Sequence, residues 1–122
     1  MGSFVSGQVV VLPFPRSDLS EDRVQKRPVL VLACGGYDDL IVCMITAKPG
    51  AIPVGRDYSV EIRNSDFVEG KLRESVSYVR PDRLFTAEPT LVAGICGSLQ
   101  SSKMKEILHQ VSCLFGLEGE TP

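Results

Sequence analysis

Val29-Leu30-Val31-Leu32-Ala33 is an unbroken apolar run, rich in β-branched residues and with no polar position to mark a solvent face. It is too short for a helix, and Cys34-Gly35-Gly36-Tyr37-Asp38-Asp39 after it reads as a turn. The run is therefore read as a strand buried on both sides. Val9-Val10-Val11-Leu12, closed by Pro13, repeats the pattern upstream, and Leu40 to Thr46 repeats it downstream before Lys48-Pro49-Gly50. Tyr58-Ser59-Val60-Glu61-Ile62 alternates as a half-buried strand, and Val76 to Val79 reads as another. Strand follows strand with no helical pattern between them, which excludes βαβ units and predicts a mainly β small barrel. Only the last quarter changes period. Met104, Ile107, Leu108, Val111, Leu114 and Phe115 share one face of a helix expected over about 101–116. Ser101 or Ser102 is the expected N-cap and Gly116 the C-cap. The expectation is one domain: barrel over about 7–100, helix, then a frayed acidic tail over 117–122.

The composition agrees with one compact domain. The chain has 122 residues, 43% of them hydrophobic and 23% charged, enough for a core and an ordinary polar surface. No apolar run approaches the length needed to cross a bilayer, and no secretory leader is evident, so no membrane role is expected. Cys34, Cys43, Cys96 and Cys113 form no C-x-x-C pair, and with a single histidine the pattern gives no zinc site. They are read as reduced, mostly buried thiols of a cytoplasmic protein.

Thirteen basic and fifteen acidic residues give a net charge of −2, so no global field points to nucleic acid. Locally the balance differs. Arg16, Arg23, Lys26 and Arg27 cluster around the polar segment from Phe14 to Lys26, a long connection of the kind that carries function. Arg80 and Arg83 flank Asp82. His109 falls on the polar side of the expected helix and is read as an exposed residue, so proton transfer here has no histidine pair. Arg27 precedes Pro28 at the mouth of the second strand. Proline restricts it to an extended conformation, so its guanidinium is pre-oriented for bidentate phosphate contact. Thr46 closes the third strand next to a loop, where a hydroxyl can serve a substrate or a neighbouring backbone group.

Three segments, taken in order, resemble one family. Gly7-Gln8-Val9-Val10-Val11-Leu12-Pro13-Phe14-Pro15, then Lys26-Arg27-Pro28 with its strand, then Ile45-Thr46, resemble the PemK/MazF toxins of toxin–antitoxin systems. Tyr78-Val79-Arg80-Pro81-Asp82-Arg83-Leu84-Phe85-Thr86 and the terminal helix continue the likeness. The resemblance implies an SH3-like barrel of the MazF/PemK/CcdB type that works as a homodimer. It implies metal-independent, sequence-selective cleavage of single-stranded RNA with no cofactor, and inhibition by a cognate antitoxin. A DNA-binding toxin–antitoxin complex and growth inhibition by the free toxin belong to the same implication. Arg27 and Thr46 match the family's catalytic positions, with Asp82 as a third. Arg16, Lys26, Lys48, Arg80 and Phe14 are the expected substrate contacts. The acidic residue of the first loop falls on Glu21 or Asp22, and Gln100 stands where the family starts its helix with serine. Base choice is expected to come from loops, since single-stranded RNA is read through splayed bases. Two alternatives share the barrel: a non-enzymatic gyrase inhibitor of the CcdB type, and a degenerate module that only binds RNA or antitoxin.

Overall fold

A computed structural model of the chain describes residues 4–15, 24–47 and 55–117. Seven strands run β1 (Gln8–Pro15), β2 (Val24–Cys34), β3 (Leu40–Thr46), β4 (Val60–Arg63), β5 (Phe67–Gly70), β6 (Val76–Ala87) and β7 (Gly94–Leu99), and helix α1 (Ser101–Leu114) follows. They form one sheet in the order β4-β6-β3-β2-β1-β7-β5, every neighbouring pair antiparallel. The sheet curls into a nearly closed barrel, mainly β, as expected. No helix among the described residues is long and apolar enough to cross a membrane.

The continuous apolar runs have a physical explanation in two clusters that share the central strands. Side chains alternate faces along a strand. Val9, Leu30, Cys43 and Ile45 point into the barrel, where β4, β5 and α1 bring Ile62, Phe67, Met104 and Ile107. Val10, Leu12, Val29, Val31 and Val42 point to the other side and are covered by Phe4, Phe85 and Val92. Both faces are thus dry, so neither can be polar. Each fully buried aliphatic side chain contributes about 1.5–3 kcal/mol.

Several boundaries differ from the sequence reading. β1 and β2 pair all the way out to Pro15↔Val24, so Phe14 and residues 24–26 belong to strands rather than to a loop. The loop itself, residues 16–23, lies outside the described residues. Arg27 and Pro28 lie within β2, opposite Leu12 and Val11, not at its entrance. The last expected strand continues from Val79 to Ala87, past a register shift between Met44↔Arg80 and Cys43↔Leu84. β5 and β7 were not expected; both contain glycine, which weakens the strand signal. Helix α1 is capped by Gln100 without a side-chain cap bond, not by Ser101 or Ser102. Gly116, with φ of +78°, takes the left-handed conformation expected after the helix. Of the four free cysteines only Cys43 is buried; Cys96 and Cys113 are half-buried and Cys34 is exposed.

Candidate functional site

The β2–β3 ladder begins at Val29↔Met44, and Pro28, which has no N–H to donate, stands just beyond it. Carried two residues further, the same register sets Arg27 opposite Thr46. Thr46 is in turn paired with Tyr78 on β6. Where β2 and β3 part, a cavity of about 310 Å³ opens, and Lys26, Arg27 and Thr46 all line it. Its floor is apolar, with Val11, Pro28, Ile45 and Leu72, and its rim adds Arg73 and Glu74. Three cations against one carboxylate make this a positive spot on a chain of net charge −2. A concave, low-dielectric wall with one sign of charge attracts anions.

Arg27 is exposed, and its Nη2 donates to Gln25 Oε1 at 2.8 Å. The two residues are separated by two along β2 and share a face, so Gln25 holds one arm of the guanidinium and leaves the other donors to a ligand. Thr46 is half-buried and bonded within the protein.

Arg80 and Asp82 are brought together, but not in the cavity lining. The guanidinium meets the carboxylate in a two-pronged pair, Nε to Oδ1 at 3.1 Å and Nη2 to Oδ2 at 3.0 Å. The register shift that removes residues 81–83 from the ladder allows this approach. The hydrogen bonds from Arg80 hold the Asp82 carboxyl below its usual value, and Asp82 raises that of Arg80. Arg80 follows Tyr78 by two residues on the same face, which makes it a diagonal neighbour of Thr46, a separation of about 7–8 Å.

Of the other expected site residues, Phe14 is paired through its backbone with Gln25, and its side chain lies outside the described residues. Arg16, Lys48, Glu21 and Asp22 also lie outside them. His109 is exposed, with Nε2 3.6 Å from the Cys113 Sγ, and takes no part in the cavity. Among the described residues no group of histidine, cysteine or acidic side chains is arranged to hold a metal.

The sequence reading did not place Leu72, Arg73, Glu74, Ser77 or Cys96 at a site, and all of them line the cavity. The segment after β5 reaches it through a close crossing. A Cβ on Gly70, whose φ is +77°, would lie 2.0 Å from the Cys96 carbonyl oxygen, and one on Gly97 would lie 2.3 Å from that of Glu69. Only glycine fits at either position, and the crossing lets Lys71 N–H donate to the Cys96 carbonyl at 3.2 Å. Leu72 is then buried in the barrel core and fixes the segment that carries Arg73 and Glu74. Burial pushes the Cys96 thiol up, so it stays protonated and is a poor nucleophile at neutral pH.

A family model described as PemK-like, MazF-like toxin of type II toxin–antitoxin system matches residues 6–115. Among solved structures, the chain is similar to a MazE–MazF crystal structure from Deinococcus radiodurans. The TM-score is 0.69 at 18% identity, covering 96% of this chain and 99% of that one. It is also similar to an endoribonuclease in complex with its cognate antitoxin from a mycobacterial species (TM-score 0.66, 20% identity, 94% and 97% covered). A third likeness is to the Mycobacterium tuberculosis toxin MazF-mt6, with TM-score 0.61, 18% identity, and 88% and 97% covered. No curated protein matches the sequence. At these identities the structural likeness establishes the barrel and its terminal helix.

Proposed function

This chain belongs to the PemK-like, MazF-like toxins of type II toxin–antitoxin systems, and on that premise we propose that it is an endoribonuclease that cuts single-stranded RNA without a metal. The observation that carries the reading is the meeting of Arg27 and Thr46 at one positive cavity. The reaction is attack of a ribose 2′-oxygen on the adjacent phosphorus. The O2′–P bond forms, the P–O5′ bond breaks, and a proton passes in net from O2′ to O5′. The products are a 2′,3′-cyclic phosphate and a 5′-hydroxyl end.

Arg27 faces the charge that develops on the pentacoordinate phosphorus, with its fork already oriented by Gln25. Thr46, at the end of β3, orients the 2′-hydroxyl or a phosphate oxygen. Lys26 adds positive charge at the rim. Arg80 makes a second phosphate contact one residue pair away. Asp82 acts on Arg80: both its oxygens are taken by the guanidinium, and a carboxyl held that low is a weak base near neutrality. The reading includes a homodimer and a cognate antitoxin whose flexible chain covers the positive groove. Arg16, Lys48 and Phe14 remain candidates for the RNA path, and the cytoplasm is the compartment where such a substrate is met.

The test is a long single-stranded RNA incubated with pure protein in EDTA. Cleavage that yields cyclic phosphate and 5′-hydroxyl ends supports the nuclease. Intact RNA together with loss of gyrase supercoiling supports the CcdB-type inhibitor instead.

A further inference from the structure

We propose that Arg73, Glu74 and Ser77 form a nucleobase pocket that selects guanine beside the cleaved phosphate. The proposal deepens the nuclease reading and rests on it. The cavity's 310 Å³ lies at the lower end of the roughly 300–1,000 Å³ seen for small-molecule sites, room for one base rather than a stretch of RNA. Its apolar floor suits the flat face of a base, and Lys26 and Arg27 stand where the attached phosphate would sit.

The polar groups are few and unspent. Arg73 and Glu74 make no hydrogen bond or ion pair among the described residues, although neighbours in sequence and opposite in charge. Ser77 is the only buried polar residue among the described residues, at 4% exposure, and its hydroxyl also makes no hydrogen bond there. No fully occluded polar side-chain atom in the described residues is left unsatisfied, so Ser77 Oγ keeps some exposure, and Ser77 lines the cavity. A nearly buried hydroxyl without a partner in the cavity lining is a group whose hydrogen bond a ligand can supply.

The donor and acceptor set then selects the base. A carboxylate only accepts, and a guanidinium only donates. Guanine alone among the four RNA bases offers two adjacent donors, N1–H and N2–H, to a carboxylate and two adjacent acceptors, O6 and N7, to an arginine fork. Adenine and cytosine each offer Glu74 a single amino group, and uracil a single imide N–H. The segment that carries both side chains cannot drift, because the Gly70–Gly97 crossing and buried Leu72 hold it.

Two assays separate this pocket from the chemistry. In the first, a randomised single-stranded RNA pool is cut in EDTA and the new 5′-hydroxyl ends are sequenced. Guanine should be enriched on the order of 10-fold at one fixed position from the cut. In the second, binding is measured with 2′-O-methyl oligonucleotides, which cannot cyclise. A single guanine should bind on the order of 10-fold tighter than adenine in the same place. Inosine, which lacks the N2 amine, should lose most of that advantage with wild-type protein but not with Glu74→Gln. A 7-deazaguanine should lose it with wild type but not with Arg73→Gln. Cleavage without a guanine-enriched position overturns the pocket while the nuclease reading stands. Guanine-selective binding with no cleavage overturns the nuclease reading and supports the pocket. If Glu74→Gln abolishes cutting yet keeps the inosine penalty, Glu74 serves the reaction and not the base, and the assignment fails.

Discussion

Replacing Arg27 by alanine isolates the group on which the proposed chemistry turns. Two unit charges about 4 Å apart at an effective dielectric near 20 interact by about 4 kcal/mol. Arg27 is exposed in the free chain, and water would enter the space left by alanine, so only part of that energy is lost. Removal of one preorganised charge-stabilising donor gives a loss of about 10²–10³-fold in rate, and exposure places Arg27 at the lower end, near 10²-fold. Arg27→Lys should recover about a tenth of the wild-type rate, because an ammonium keeps the charge and loses the planar fork. Gln25→Ala should fall by only a few-fold, since it frees one arm of the guanidinium without removing charge. Single-turnover cleavage of a fluorescent RNA measures the rate, and a 2′-O-methyl analogue measures affinity, which should stay near wild type because the loss lies in the transition state. An exposed charge contributes within about 0.5 kcal/mol to stability, so circular dichroism should show a folded variant. A folded Arg27→Ala protein that cuts at the wild-type rate would falsify the role. So would a loss that appears wholly as weakened binding.

Thr46→Ser should keep most activity and Thr46→Val should lose it, which single-turnover cleavage distinguishes; equal rates would make the hydroxyl a structural group only. Asp82→Asn should lower stability at pH 7 by about 0.2–1 kcal/mol, the range for a partly exposed pair. Asp82 is depressed in the folded state, so this contribution is present above the ordinary carboxylate value and fades as pH falls through the folded one. The gap in denaturant midpoint between variant and wild type should therefore be smaller at pH 3 than at pH 7. Ile107→Ala empties a fully buried site where α1 meets the barrel and should lose about 2–5 kcal/mol by urea unfolding; a change below 0.5 kcal/mol would mean the helix is not part of the core.

The fold was legible wherever burial left a one-to-one trace in residue type. Val9 to Leu12, Val29 to Leu32 and Leu40 to Ile45 sit between two apolar clusters, and a strand dry on both faces cannot hide its pattern. β5 and β7 left a weaker trace for the opposite reason. In Phe67-Val68-Glu69-Gly70 and Gly94-Ile95-Cys96-Gly97-Ser98-Leu99, Gly70 and Gly97 are required because the backbones cross too closely there for a Cβ, and glycine reads as a turn in the sequence. The long β6 was cut short for a related reason. Arg80-Pro81-Asp82-Arg83 has the composition of a loop, and it is where the ladder is broken, yet pairing resumes at Leu84.

The candidate site divides along the same line. Arg27 and Thr46 were legible because each ends or interrupts a strong hydrophobic run, although Arg27 lies inside β2 and only Thr46 ends its strand. Arg73 and Glu74 were not, since their place depends on a contact between Gly70 and Gly97, residues that only the folded register makes neighbours. Ser77 is harder still. A serine two residues before Val79 looks like the polar half of an alternating strand, whereas in the barrel it shares the interior face with Val79 and is nearly as buried. Alternation identifies which residues share a face but not which face is dry. Here Tyr78 and Arg80 occupy the half-buried face of β6, and Ser77 lies on the other, buried face, in the lining of the cavity. The residues proposed to hold the phosphate can thus be read from where they interrupt or end an apolar run. Those proposed to choose the base depend on how the barrel closes, through the pairing of Gly70 with Gly97.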